Sequence, residues 1–64
     1  MITYEIIANI RVVRCKGKPE RIGDRGWIIG RYSDGMLKVH FDRDAYPTVV
    51  CADAVRSLQK LHSA

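Results

Sequence analysis

Five cations, Arg14, Lys16, Lys18, Arg21 and Arg25, are crowded into residues 14 to 25 with Gly17 and Gly23 between them. Flexible cations on a glycine-containing loop can follow a phosphate backbone and release its counterions. Trp27, Tyr32 and Tyr46 are the aromatics nearest that stretch, and an exposed ring among them would stack on a base. The same basic face suits a second chemistry, docking to an acidic protein surface with Trp27, Tyr46 and Met36 as anchors. Trp27 also has a plainer reading, as the core residue of a small domain.

Other chemistries lack their parts. Asp42 and Asp44 flank Arg43 as a solvated hairpin end would, rather than as paired acid and base. Cys15, Cys51, His40 and His62 are four potential zinc ligands, but no two have the close spacing of a zinc knuckle, so no metal is expected. Neither cysteine shows an electropositive niche for nucleophilic work, and no Ser-His-Asp or Cys-His arrangement can be drawn. Glycines 17, 23, 26 and 30 fit neither a phosphate-loop nor a dinucleotide fingerprint. The expectation is a binding module with no catalytic residues and no cofactor, not an enzyme. The cysteines are expected as free, buried thiols in a reducing compartment, with a Cys15–Cys51 disulfide as the alternative.

The elements that would position these residues follow from patterning. The 64 residues leave room for one domain, residues 1–64, and 47 % hydrophobic with 28 % charged residues is a globular balance. Of the net charge of +4, residues 11 to 31 hold seven cations against two carboxylates, whereas residues 32 to 64 balance four against four. That asymmetry points to a polyanionic or acidic partner. From Ile2 to Val12 the even positions Ile2, Tyr4, Ile6, Ala8, Ile10 and Val12 are the apolar set, a strand with a break near Ala8-Asn9. Cys15 to Arg25 reads as an exposed loop. Gly26 to Tyr32 is a second strand in which Gly30 marks a bulge or a close backbone approach. Ser33-Asp34-Gly35 turns into a return strand, Met36 to Asp42, with Leu37, Val39 and Phe41 facing in and His40 out. Arg43 to Pro47 is a polar loop and Thr48 to Cys51 a short strand. Residues 53 to 62 fit either a helix, with Val55, Leu58 and Leu61 on one face, or a single 3₁₀ turn leading into a last strand.

Short strands, an early basic loop and a central hairpin add up to an all-β fold, a small SH3-like barrel of about five strands. Val12-Val13 through Lys16-Gly17-Lys18, Gly23 to Ile28 and Lys38-Val39-His40-Phe41 resemble the KOW-type pattern of SH3-like barrels. Val50 to Leu58 is similar to the short turn and last strand that close them. The resemblance covers most of residues 10 to 58 and implies that fold, and nucleic-acid binding through the loop between the first two strands. Gly26 to Tyr32 is also similar to a strand of the type II dihydrofolate reductases. Thr48-Val49-Val50-Cys51 stands where that family carries its catalytic Val-Gln-Ile-Tyr, so the reductase activity is not implied. Val39 to Tyr46 is similar to small prophage-encoded proteins, which implies a mobile-element accessory role.

The expected function is a small basic module that contacts nucleic acid through Arg14, Lys16, Lys18, Arg21, Arg25, Trp27 and Tyr46. The alternative is a docking module for an acidic protein. No apolar run approaches the ~20 residues that span a bilayer, and Met1 to Ala8 has no basic leader, so a cytoplasmic location without membrane contact is expected.

Overall fold

The structure is a computed structural model that describes residues 1–58. The fold is all-β. Strands β1 (Tyr4–Arg14), β2 (Arg25–Tyr32), β3 (Met36–Phe41), β4 (Thr48–Cys51) and β5 (Val55–Ser57) form one antiparallel sheet in the order β4-β3-β2-β1-β5. The sheet curls into a half-barrel around Val12, Ile28, Val39, Phe41, Val50 and Val55, with Ile7, Ile10, Leu37 and Ala54 packed against them. Val12, Val39 and Phe41 are completely buried, the centre of a core that must offset the ordering entropy of a short chain.

The alternation in β1 changes phase. Ile10 and Val12 face the core as the even-numbered pattern requires, but the register with β2 shifts between Ile6 and Ile10. One irregular step moves the following side chains to the opposite face. Ile7 therefore packs inward, whereas Tyr4 and Ile6, expected inside, are exposed, Ile6 by 81 %. The pairing of β2 with β3 shifts in the same way between Ile28 and Gly30. Gly30 proves to be both a bulge neighbour and a close approach, because the Tyr4 phenol occupies the space a Cβ would need.

The turns are built from local hydrogen bonds. Gly35 sits at φ +93°, its N–H donating to Tyr32 O at 3.0 Å, and the Met36 N–H donates to Asp34 Oδ1 at 3.0 Å. The Cys15–Asp24 loop is tied at its base, with Arg14 N–H to Asp24 O at 2.8 Å and Gly23 N–H to Arg14 O at 2.9 Å. It contains a 3₁₀ turn at Pro19–Arg21. A second 3₁₀ turn, Ala52–Ala54, leads into β5 and decides the C-terminal alternatives as far as they can be followed; residues 59 to 62 lie outside the described residues. The Ala54 carbonyl accepts from the N–H groups of Cys15 at 2.8 Å and Lys16 at 3.3 Å, which fixes that turn beside the end of β1. β4 is an edge strand, paired with β3 alone among the described residues. Cys15 and Cys51 are free thiols but exposed, not buried, because both flank the surface 3₁₀ turn rather than the core. No helix of the described residues is long and apolar enough to cross a membrane.

Candidate nucleic-acid interface

The basic loop is held down by acids from elsewhere in the chain. Arg21 donates to both Asp44 carboxylate oxygens, at 3.1 and 2.5 Å, and its Nε lies 2.8 Å from Asp24 Oδ2. Arg43 completes this cluster at 3.2 Å from Asp24 Oδ1. Lys16 pairs with Asp53 at 3.0 Å. Hydrogen bonding to Arg21 holds the Asp44 carboxyl below its ordinary range and raises the Arg21 guanidinium, and Asp53 raises the Lys16 ammonium in the same manner. Arg14 stands apart, half-buried with its guanidinium 4.8 Å from the Phe41 ring centroid. Of the five cations crowded together in the sequence, only Arg14, Lys18 and Arg25 make no ion pair among the described residues.

A second basic surface lies on the outer face of the sheet. Cross-strand partners share a face, and residues two apart on one strand do too. Val13 joins Arg56 of β5 to Arg25 of β2, giving one row. Arg11, Trp27 and His40 form the next. Ile6, Gly30, Lys38 and Val49 form a third, and Tyr4 and Tyr32 pack beyond it as a tilted pair with centroids 4.9 Å apart. The rows combine aromatic rings with cations. Arg11 lies 5.0 Å over Trp27 while its Nη1–H and Nη2–H groups donate to the two Asp42 carboxylate oxygens, and Lys38 Nζ lies 5.4 Å over Tyr4. The Arg11 pairing holds the Asp42 carboxyl low and the Arg11 guanidinium high.

Trp27 is thus not a core residue: it is 40 % exposed, because Gly26 and Ile28 take the inward positions on either side of it. Tyr46 is 81 % exposed on the β3–β4 loop. His40 faces outward and is half-buried, its Nε2 3.0 Å from Asp44 O. The structure brings Arg25 and Trp27 to the sheet face, leaves Arg14, Lys16, Lys18 and Arg21 on the loop side, and places Tyr46 on the β3–β4 loop. Sequence reasoning missed Arg11, Lys38 and Arg56 as members of the face. Their signal was available for Arg11 and Lys38, which alternate with core residues and so point outward; Arg56 is distant in sequence and needed the β1–β5 pairing. No group of His, Cys, Asp and Glu among the described residues could hold a metal ion. In comparisons with known proteins, the chain matches no family model, no curated protein and no solved structure.

Proposed function

We propose that this protein is a nucleic-acid-binding module whose contact surface is the outer sheet face, centred on Trp27 and edged by Arg25, Lys38 and Arg56. The observation that carries the reading is the row of Arg11, Trp27 and His40 lying beside cations that make no ion pair among the described residues. An exposed ring stacks on a base whatever its sequence, and free cations beside it take the flanking phosphates. The strand order, with β5 returning beside β1 after a 3₁₀ turn, supports the SH3-like, KOW-type resemblance. The loop contributes less than its composition promised, because Lys16 and Arg21 are already paired.

The test is a fluorescence titration of a labelled single-stranded oligonucleotide at two or more salt concentrations. A log–log salt slope of magnitude about 2 is expected for about three phosphate contacts. The triple replacement Arg25→Ala, Lys38→Ala, Arg56→Ala flattens it by about 2, and Trp27→Ala weakens binding by about 1–3 kcal/mol. Absence of binding at low salt by the folded protein overturns the reading. Docking to an acidic protein is the second reading, favoured by the exposed Tyr46 ring on the β3–β4 loop.

A further inference from the structure

The unpaired Arg14 sits in a cleft that the sheet-face reading does not use. Arg14, Gly17, Lys18, Arg21, Asp44 and Thr48 line a cavity of about 400 Å³ between the β1–β2 loop and the β3–β4 loop. Two of these lining residues hold their guanidinium groups over the buried Phe41 ring, Arg14 at 4.8 Å and Arg21 at 5.8 Å from its centroid. The two differ in one respect. Arg21 is paired directly with Asp44 and Asp24, whereas Arg14 makes no ion pair among the described residues and reaches Asp44 only through its charge.

Arg14 is also poorly satisfied. A guanidinium offers five N–H donors. Here Nη1 donates to Lys16 O at 3.3 Å, while Nε is buried without a partner. The loop backbone passes directly over the group, since a Cβ at Gly17 would lie 2.6 Å from Arg14 Nη1, and Gly17 adopts φ +118° to make that passage. A half-buried cation with one buried donor left unmatched gains from an anion that adds opposite charge and acceptors. Lys18 adds a second unpaired cation to the wall and Thr48 a hydroxyl donor, while both Asp44 oxygens are occupied by Arg21.

We infer that this cleft is a binding site for one phosphate group, held by the Arg14 guanidinium, the Lys18 ammonium and the Thr48 hydroxyl. Planar guanidinium donors match a phosphate bidentately, and a neighbouring ammonium adds a point charge. The group is either inorganic phosphate or the phosphate monoester of a small organic molecule. The inference does not depend on nucleic-acid binding by the sheet face: a protein that ignores oligonucleotides but saturates with phosphate keeps this site.

The experiment is a ¹H–¹⁵N titration of the full chain with inorganic phosphate at constant ionic strength, with chloride as the balancing anion. A parallel arm uses glycerol 3-phosphate with glycerol as its control. Saturable shifts are expected at Gly17, Lys18, Arg21 and Thr48 and at the Arg14 Nε–H, with little change at Arg25 or Arg56. Tighter binding of the ester identifies an organic phosphate as the ligand, and equal or weaker binding identifies the free anion. Arg14→Gln should weaken binding roughly tenfold or more. Should Arg14→Gln fail to fold, Lys18→Ala combined with Thr48→Val reads the same site through exposed positions and should weaken binding several-fold. Shifts that rise linearly without saturating, that spread equally to Arg25 and Arg56, or that survive the double variant unchanged overturn the inference.

Discussion

The loop between β1 and β2 and the outer face of the sheet both carry cations, but they spend that charge differently. On the loop, Lys16 and Arg21 are matched by Asp53, Asp44 and Asp24, so charge that looked available for a partner instead fastens the loop to the β3–β4 connection and the C-terminal turn. On the face, Arg25, Lys38 and Arg56 lie beside aromatic and aliphatic neighbours and make no ion pair among the described residues. Charge density along a chain therefore measures the supply of cations, and folding decides which of them remain for binding.

The largest effect is expected where the two regions share a foundation. Phe41 is fully buried, ends β3 and lies beneath both Arg14 and Arg21. Phe41→Ala should cost about 3–5 kcal/mol in urea or thermal unfolding, enough to unfold a domain this small. A loss below about 1 kcal/mol would mean that loop and face rest on separate supports. Gly26 comes next, at the junction between loop and face. A Cβ there would meet His40 O at 2.7 Å and Phe41 Cα at 2.8 Å, both of them backbone. Gly26→Ala should destabilise by about 1–3 kcal/mol and shift the Trp27 emission as β2 and β3 separate. Gly35→Val, strained only by its φ of +93° in open space, should cost about 1–2 kcal/mol and leave that emission unchanged.

Titration separates the regions by their anchors. Asp44 and Asp42 both titrate below the ordinary carboxylate value, held there by Arg21 and Arg11 respectively. A carboxylate with a depressed folded pKa contributes stability above its unfolded pKa, near 4, and loses it as pH falls through the folded value. Stability should therefore decline below about pH 4. Arg21→Gln should move the Asp44 carboxyl resonance back toward the ordinary range while Asp42 stays low, a difference that carboxyl ¹³C NMR reads directly. The smallest stability effect belongs to the face: Arg56→Ala should change unfolding by less than about 0.5 kcal/mol yet weaken oligonucleotide binding. A large stability loss would reassign Arg56 to the framework.

Local signals carried most of the fold. Ser33-Asp34-Gly35 with alternating Leu37, Val39 and Phe41 specifies the hairpin, since both depend on neighbours a few residues apart. The all-β class, the short β4 and the disturbance near Ala8-Asn9 were readable for the same reason. What the letters near Ala8-Asn9 do not contain is the consequence of the register shift, because sidedness beyond a bulge depends on how the partner strand accommodates it; Tyr4 and Ile6 were misplaced for that reason. The site was half legible. Cations and aromatics are visible in any sequence, but Asp53, Asp44 and Asp42, which claim Lys16, Arg21 and Arg11, lie 37, 23 and 31 residues away, and only the Arg21–Asp24 pair falls within a local window. The same gap left Trp27 divided between core and surface.

The outer edge of β4 has a further effect on how copies of this protein meet at high concentration. An unpaired strand edge templates fibre growth when it is long, flat and apolar. Here it is four residues long, with Val49 exposed by 46 %. Pro47, which has no N–H to give, stands before it, and the 3₁₀ turn at Ala52–Ala54 bends the chain away after it. A second copy laid along that edge finds only a few ladder bonds before the backbone leaves the plane. Brevity at the edge, rather than charge, thus limits open-ended stacking there, and lengthening β4 would turn a self-limiting edge into a growing one.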